Sequence, residues 1–534
     1  MTHDHAASAA VQALPRVYPT VVGMLADAAG RDPRAEALVC GERHLDYAGY
    51  LGCVAGFAAE LDSLGARGER VATLLPNSID ACIAAFGALA AGAQHVPLNP
   101  LLAPREIDFI LRDASPVALI VDEALAATLA PIAAGAGIRH LIVVGPQARR
   151  LDHDCARTAT LPVPPAPDAL ALLQYTGGTT GRPKGVDLTH RSIAINVSQR
   201  EALLPSRAGD RIICVMPISH AYGMAMGLFL AAYCGGALVI LPRYVPDEVL
   251  ATVTRERITV FPGSPTVFVG LMAHPDFPRT DWNSVHTCYS GAAPLSAETL
   301  RRWRDAVGAP VHEGYGQTEA GPVLSFNPVG RPIKPGSVGV AVPLTEIEIV
   351  DIETGRTVLV QGERGEIRAR GPQCMAGYRN LPAETAEALR DGWLYTGDVG
   401  EFDTDGYLYI RDRKKDMAIV GGYNVYPREV EEALFLHPDV IDAAVAGTPD
   451  AYRGEALIAW VVLRGGARAQ PDELVAHCHA TLARYKVPAR IEIVDALPKT
   501  SANKTDRNAL RARASAGAAR PSSSPEPERS RRNP

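Results

Sequence analysis

Residues 172–186 read LLQYTGGTTGRPKGV, a loop rich in glycine and threonine that ends on a lysine. Glycines let a backbone approach a ligand closely and turn its N–H groups toward it. Gly177, Gly178 and Gly181 supply that freedom, Thr176, Thr179 and Thr180 add hydroxyl donors, and Lys184 adds a positive charge. Such a loop suits a polyphosphate. It is not a Walker loop, because Pro183 precedes Lys184 and Gly185 stands where Ser or Thr would be. Taken alone, the segment reads equally as a flexible surface loop.

Holding a loop of this kind in place requires regular elements on either side of it. Apolar β-type runs at 71–75, 117–121, 141–144, 212–216, 237–241 and 259–261 alternate with helical stretches such as 79–91 and 246–255. That alternation predicts an α/β fold with layered, largely parallel sheets. Residues 336–409, rich in Val, Ile, Gly and Asp turns, predict a β-rich subdomain. A charge cluster at 410–416 follows, then a helix opened by Pro427 with Val430, Ala433, Leu434 and His437 on one face. The remainder fits a small α+β C-terminal domain. The expected limits are a flexible N-terminus at 1–18, a large domain at 19–411, a joint at 412–416, a small domain at 417–513 and a disordered tail at 514–534.

Composition narrows the class further. The 534 residues carry 53 Lys+Arg against 59 Asp+Glu, a net charge of −6, and are 47% hydrophobic. Those proportions exclude a disordered chain and give no global electrostatic case for nucleic acid. Nine cysteines without a CxxC pair predict a reduced, cytoplasmic chain with buried thiols rather than a disulfide scaffold or zinc site. The first residues lack a basic stretch followed by an apolar one, so no signal peptide is expected. Residues 224–241 carry no charge and sit at the lower length limit of a membrane span. Gly235-Gly236 divides them, however, into a buried helix and a core strand, so no integral membrane association is expected.

The glycine/threonine loop closely resembles the phosphate loop of the adenylate-forming superfamily, which comprises acyl-CoA synthetases, peptide-synthetase adenylation domains and luciferases. Further segments resemble the family in the same order. They are MPISHAYGM (216–224), YSGAAPLS (289–296), EGYGQTEAGP (313–322), YTGDVG (395–400), IRDRKKDMAIVGGYNVYPREVEE (410–432) and LPKTSANKTDR (497–507).

The resemblance implies a first half-reaction in which a carboxylate attacks the α-phosphorus of ATP, giving acyl-AMP and pyrophosphate. It implies that 176–184 holds the β- and γ-phosphates, that Glu319 helps to bind Mg²⁺, and that Thr318 contacts the α-phosphate. Asp398 would accept hydrogen bonds from the ribose diol, with Arg413 beside it. Adenine would lie between Gly291-Ala292-Ala293 and Tyr315-Gly316. Lys504 would bridge carboxylate and phosphate oxygens as charge develops. Asn503 stands before it where the family commonly has Gly, and Asn tolerates a left-handed backbone. Lys499 is read as a surface lysine. In the second half-reaction coenzyme A takes the acyl group. The small domain is then expected to rotate about Lys415 and bring in Gly421 and Gly422.

The resemblance also implies an acyl pocket lined by His220, Tyr222, Met224, Gly227, Phe261, Ser264, Val267, Gly314, Gly316 and Val323. No positive charge occurs among them, which favours an apolar monocarboxylate. The wording of 274–278, 325–330 and 334–339 is most similar to fatty-acid CoA ligases, pointing to a medium- or long-chain fatty acid, with aryl-acid CoA ligases close by. An acyl-AMP ligase that loads a carrier protein is the other alternative. No insertion is evident between Tyr395 and Gly422, which favours CoA. A homodimer is left open.

Overall fold

The computed structural model describes residues 14–154, 160–176, 182–450, 452–500 and 505–518. The chain divides between Ile410 and Arg411 into two compact units. The first has the expected α/β layering. Its nine-stranded sheet runs parallel through Val311–Gly316, Thr287–Ser290, Val260–Gly263, Arg211–Cys214, Ala237–Ile240 and Glu36–Cys40. Its seven-stranded sheet is parallel through Leu170–Thr176, Gln94–Pro97, Arg70–Leu74, Ala118–Asp122 and His140–Val144. The run 336–409 is β-rich as expected, and its strands Glu346–Val350, Gly365–Arg370 and Trp393–Phe402 pair antiparallel.

Helix Ile79–Ala90 is buried at every position, which its largely apolar composition permits and the pairing of its one charge, Asp80, with Arg43 at 3.0 Å completes. Helix Tyr47–Ser63 packs against it closely. A Cβ at Gly87 would stand 2.7 Å from the Phe57 ring, so the approach of the two backbones depends on that glycine. The nine-stranded sheet has a core on each face. One holds Tyr222, Met224, Tyr289 and Val323, and the other holds Phe261, Val267, Phe268, Trp282 and Trp303.

The uncharged run 224–241 is a helix and a strand, as read. A π-helix Met224–Phe229 continues into the α-helix Leu230–Cys234, which ends at Gly235 with φ +71°, and strand Ala237–Ile240 follows. Among the described residues no helix is long and apolar enough to cross a membrane.

The second unit is α+β. Strands Val440–Asp450 and Gly454–Leu463 form a long hairpin, joined by Ala418–Val420, Tyr423–Val425 and the parallel strand Arg490–Ile493. Helices Pro427–Phe435 and Pro471–Thr481 pack with them.

Two expectations need correction. The N-terminal limit at 18 is too late, because Arg16 and the Tyr18 hydroxyl both bond Asp27 and the Tyr18 ring packs edge-on to Tyr233. The tail does not begin at 514, since helix Arg507–Ala518 runs through it and Ala514 is buried beside Leu510 and Trp460. Seven of the described cysteines are free thiols.

Candidate active site

Strand Leu170–Thr176 leads into the phosphate-type loop and strand Lys184–Thr189 leads out, antiparallel, with Thr176 and Lys184 in register. Both ends of the loop mouth are therefore fixed by a ladder. Gly177, Gly178, Thr179, Thr180 and Gly181 lie outside the described residues. Gly185 is required by packing, since a Cβ there would stand 2.8 Å from Leu173 Cδ1 and 3.1 Å from the Tyr175 ring.

The edge strand Gly377–Tyr378 pairs with the outgoing strand, Tyr378 opposite Val186. The Lys184 ammonium lies 5.0 Å from the centre of the Tyr378 ring, and the Tyr378 hydroxyl donates to Glu319 Oε1 at 2.8 Å. Glu319 sits half-buried in the 3₁₀ turn Thr318–Ala320, and its carbonyl accepts from Met375 N–H at 2.8 Å. That turn follows Val311–Gly316 directly. Only glycine fits at 316, where a Cβ would fall 1.8 Å from the Pro322 carbonyl oxygen.

The same strand end carries Tyr315, whose hydroxyl donates to Asp398 Oδ2 at 2.7 Å. Asp398 is buried in strand Trp393–Phe402, so this bond ties the parallel sheet to the antiparallel one. Beyond strand Thr287–Ser290, Ala292 adopts φ +69° and is exposed with Ala293, while Gly291 is buried. A Cβ at Gly291 would meet the Tyr222 ring at 3.0 Å, so that ring lies directly beneath the turn.

The Tyr222 hydroxyl donates to the carbonyls of Gly263 and Tyr289 at 3.3 and 3.2 Å, closing two strand ends together. His220 caps this short helix, its Nδ1 accepting from Tyr222 N–H at 3.2 Å, which calls for the neutral tautomer protonated on Nε2. Val323 is in register with Gly316, and the Asn196 side chain bonds both its N–H and its carbonyl. A Cβ at Gly314 would stand 2.5 Å from the Phe326 ring. Ser264 opens helix Pro265–Met272 with its hydroxyl turned to Thr266. Met224 starts the π-helix, which also contains Gly227.

Not every expected pocket residue lies on this face. The structure places Phe261 and Val267 in the opposite core, where Phe261 packs against Phe268, Trp282 and Trp303. Strand parity explains Phe261, since adjacent side chains point to opposite faces and Val260 faces the Tyr222 side, whereas Val267 is carried into that core by helix Pro265–Met272. One charge escaped the sequence reading. Arg200 is 1% exposed and stacks 4.8 Å from the Tyr289 ring, but it is paired with Glu201 and donates to Leu204 O, so its charge is compensated locally. Tyr378 also escaped it, because its partners are brought to it only by the fold.

In the second unit Arg413 and Lys415 are exposed. Asp412 is buried and accepts from Arg413 N–H at 2.7 Å and Arg428 N–H at 3.0 Å, at the start of helix Pro427–Phe435. Burial pushes its carboxyl up to about 6. Gly421 and Gly422 make the exposed turn between Ala418–Val420 and Tyr423–Val425 with φ +59° and +84°. A Cβ at either would meet nothing within 4 Å, so backbone conformation rather than space selects glycine there. Lys504 lies outside the described residues. Lys499 and Thr505 form a bridge that closes the segment bearing it, and Lys499 is held by Asp442 at 3.2 Å, as befits a surface lysine.

The first unit thus sets a lysine at the mouth of a glycine/threonine loop, a carboxylate beside it and a second carboxylate tied to a tyrosine face. Such a set can neutralise a polyphosphate, share a divalent cation with it and hold a sugar diol and a base. Residues 25–379 match the AMP-binding enzyme family and residues 429–504 match the AMP-binding enzyme C-terminal domain. A long-chain-fatty-acid–CoA ligase of Bacillus subtilis is 37% identical over 93% of this chain and 95% of its own. A feruloyl-CoA synthase of an Amycolatopsis species is 38% identical over 90% of this chain and 96% of its own. The solved structure of an anthranilate CoA ligase in complex with anthranoyl-AMP superposes with a TM-score of 0.88 at 30% identity, covering 95% of this chain and 99% of that one. The described loop ends, the carboxylates and these matches along almost the whole length agree, and the chain belongs to the AMP-binding enzyme family.

Proposed function

We propose that this chain is an ATP-dependent acid–thiol ligase that converts an apolar monocarboxylic acid to acyl-AMP and then to acyl-CoA, releasing pyrophosphate and AMP. The observation that carries this reading is the segment from Tyr315 to Glu319. One strand end and its turn present Tyr315 bonded to Asp398 and Glu319 bonded to Tyr378, with Lys184 against the same tyrosine. Lys184 and the loop hydroxyls would hold the β- and γ-phosphates, and Thr318 the α-phosphate. Asp398 would hold the ribose, and Arg413 is assigned to it as well. Tyr315 and the turn at Gly291–Ala293 would take the base.

A single carboxylate among phosphate oxygens and waters is a normal share of an Mg²⁺ shell, and the half-buried Glu319 fits that part. Mg²⁺ bound there would supply charge neutralisation at the phosphates. Lys504 is assigned the ammonium that meets the negative charge building between carboxylate and α-phosphate. Lys415 is assigned the pivot, and Gly421-Gly422 the passage for the thiol arm, in the second half-reaction. The proposed substrates ATP and CoA favour the cytoplasm as the enzyme's location.

The apolar surroundings of Tyr222, Met224 and Val323 favour a medium- or long-chain fatty acid. An aryl acid is the second reading, favoured by the similarity to a feruloyl-CoA synthase and an anthranilate CoA ligase. The test is a panel of alkyl and aryl acids with ATP and Mg²⁺, with and without CoA, followed by mass for AMP and thioester. Alkyl-CoA formation is expected. Preferential turnover of aryl acids would replace the substrate reading, and acyl-AMP that accumulates without becoming a thioester would replace CoA by a carrier protein.

A further inference from the structure

Lys184 and Glu319 are of opposite charge and lie on either side of one tyrosine. Among the described residues no ion pair joins them; Tyr378 touches both, its ring facing the ammonium and its hydroxyl on the carboxylate. Two opposite charges left to themselves would be drawn into a direct pair, and each would then be less available to a ligand. We infer that Tyr378 is a positioning residue that keeps the phosphate-loop lysine and the metal-binding carboxylate apart and correctly aimed. This inference rests on the ligase reading above.

The tyrosine is itself held from both sides. Its neighbour Arg379 donates from its backbone N–H to Gly185 O at 2.8 Å and from Nε to Asp113 O at 3.0 Å. Asn380 Nδ2 donates to Asp113 Oδ1 at 3.0 Å, and Tyr175, just before the loop, donates its hydroxyl to Asp113 Oδ2 at 2.5 Å. One carboxylate at the end of helix Pro104–Ala114 thus clamps the incoming loop strand and the Tyr378 segment together. The ring that touches both the lysine and the carboxylate is thereby carried on a segment tied to the outgoing loop strand and to Asp113. It sets a fixed spacing between them, using a cation–π contact on one side and a charge-assisted hydrogen bond on the other.

The two contacts are separable. Tyr378→Phe removes the hydroxyl that bonds Glu319 and keeps the ring, and Tyr378→Leu removes the aromatic face as well. Calorimetric titration of the full chain with ATP, in the absence of any carboxylic acid, with and without Mg²⁺, reads them separately. Phe is expected to leave metal-free ATP affinity within twofold of wild type and to reduce the Mg²⁺-dependent gain by about 5- to 30-fold. Leu is expected to weaken ATP in both arms by about 5- to 30-fold. A merely structural tyrosine would lower the melting temperature and weaken both arms equally in both variants. Equal losses in the two arms for Phe, or none, overturn the inference. If Leu fails to fold, the Phe arms decide alone. A wild-type chain that binds no ATP overturns the ligase reading and this inference with it, whereas wild-type Mg²⁺ enhancement retained by Phe overturns this inference only.

Discussion

Asp398 has two tasks at once, because the oxygen that accepts from Tyr315 belongs to the carboxylate assigned to the ribose diol. Asp398→Ala should therefore lose an acceptor for the nucleotide and free the Tyr315 ring. We expect the ATP KM to rise by at least about tenfold, with a smaller effect of Asp398→Asn, which keeps one carbonyl acceptor. Steady-state kinetics in ATP check this; an unchanged KM for both variants would remove Asp398 from the site. Lys504→Ala is expected to slow adenylation by about 10²- to 10³-fold while sparing thioester formation from preformed acyl-AMP, measured by single turnover of each half-reaction. A full adenylation rate in that variant would sink the mechanism. Glu319, Asp398 and Lys184 were legible because each sits in a local run of residues with a chemical purpose. Tyr378 was not, since nothing in its own neighbourhood announces a lysine and a glutamate that reach it only through the pairing of Tyr378 with Val186.

At the scale of the elements, the π-helix Met224–Phe229 is packed in the core and bonded from afar by the Tyr289 hydroxyl, which donates to Met226 O at 2.5 Å. On the ligase reading this helix walls the acyl pocket, which gives Gly227 a double consequence. A Cβ there would meet only Leu238 Cδ1, at 3.7 Å, so alanine fits without displacement. Replacing a helical glycine by alanine lowers the entropy lost on folding, by about 0.5–1 kcal/mol. Gly227→Ala should thus raise the melting temperature by about 1–3 °C. On the ligase reading it should also shift the acid panel toward shorter chains. A lowered melting temperature would show that the wall has no room. The alternation of strands and helices was legible from apolar runs and their spacing. The facing of Phe261 was not, because a parallel sheet covered on both sides shows apolar residues at every position and hides which parity points to the ligand. A π turn inside a continuous apolar run is hidden for the same reason.

For the molecule as a whole, the division into a large and a small unit followed from the charge cluster at 410–416, whereas the outer limits did not. Arg16 to Tyr18 and Ala514 are ordered by contacts with distant residues, which local composition does not record. The charge cluster itself carries a buried titratable group. Asp412 accepts two backbone N–H bonds, and Arg507 and Glu431, themselves ion-paired at 2.6 Å, act on it with opposite sign. Burial is the largest influence and raises its pKa to about 6, above that of the unfolded chain. Below about pH 4 both states hold the proton and the group costs nothing. Between about pH 4 and 6 the unfolded chain has released a proton that the folded unit retains, so stability falls as pH rises, and above 6 the loss is complete. Asp412→Asn removes the titration while keeping one carbonyl acceptor. Hydrogen exchange in the full chain, corrected for intrinsic rates, reads this at the amides of Arg413 and Arg428. The protection of the variant relative to wild type is expected to climb from pH 4 to pH 7, by about 1–3 kcal/mol in opening free energy. A difference that stays flat across that interval would mean that Asp412 is already ionised in the folded joint at pH 4, and that the two backbone bonds outweigh its burial.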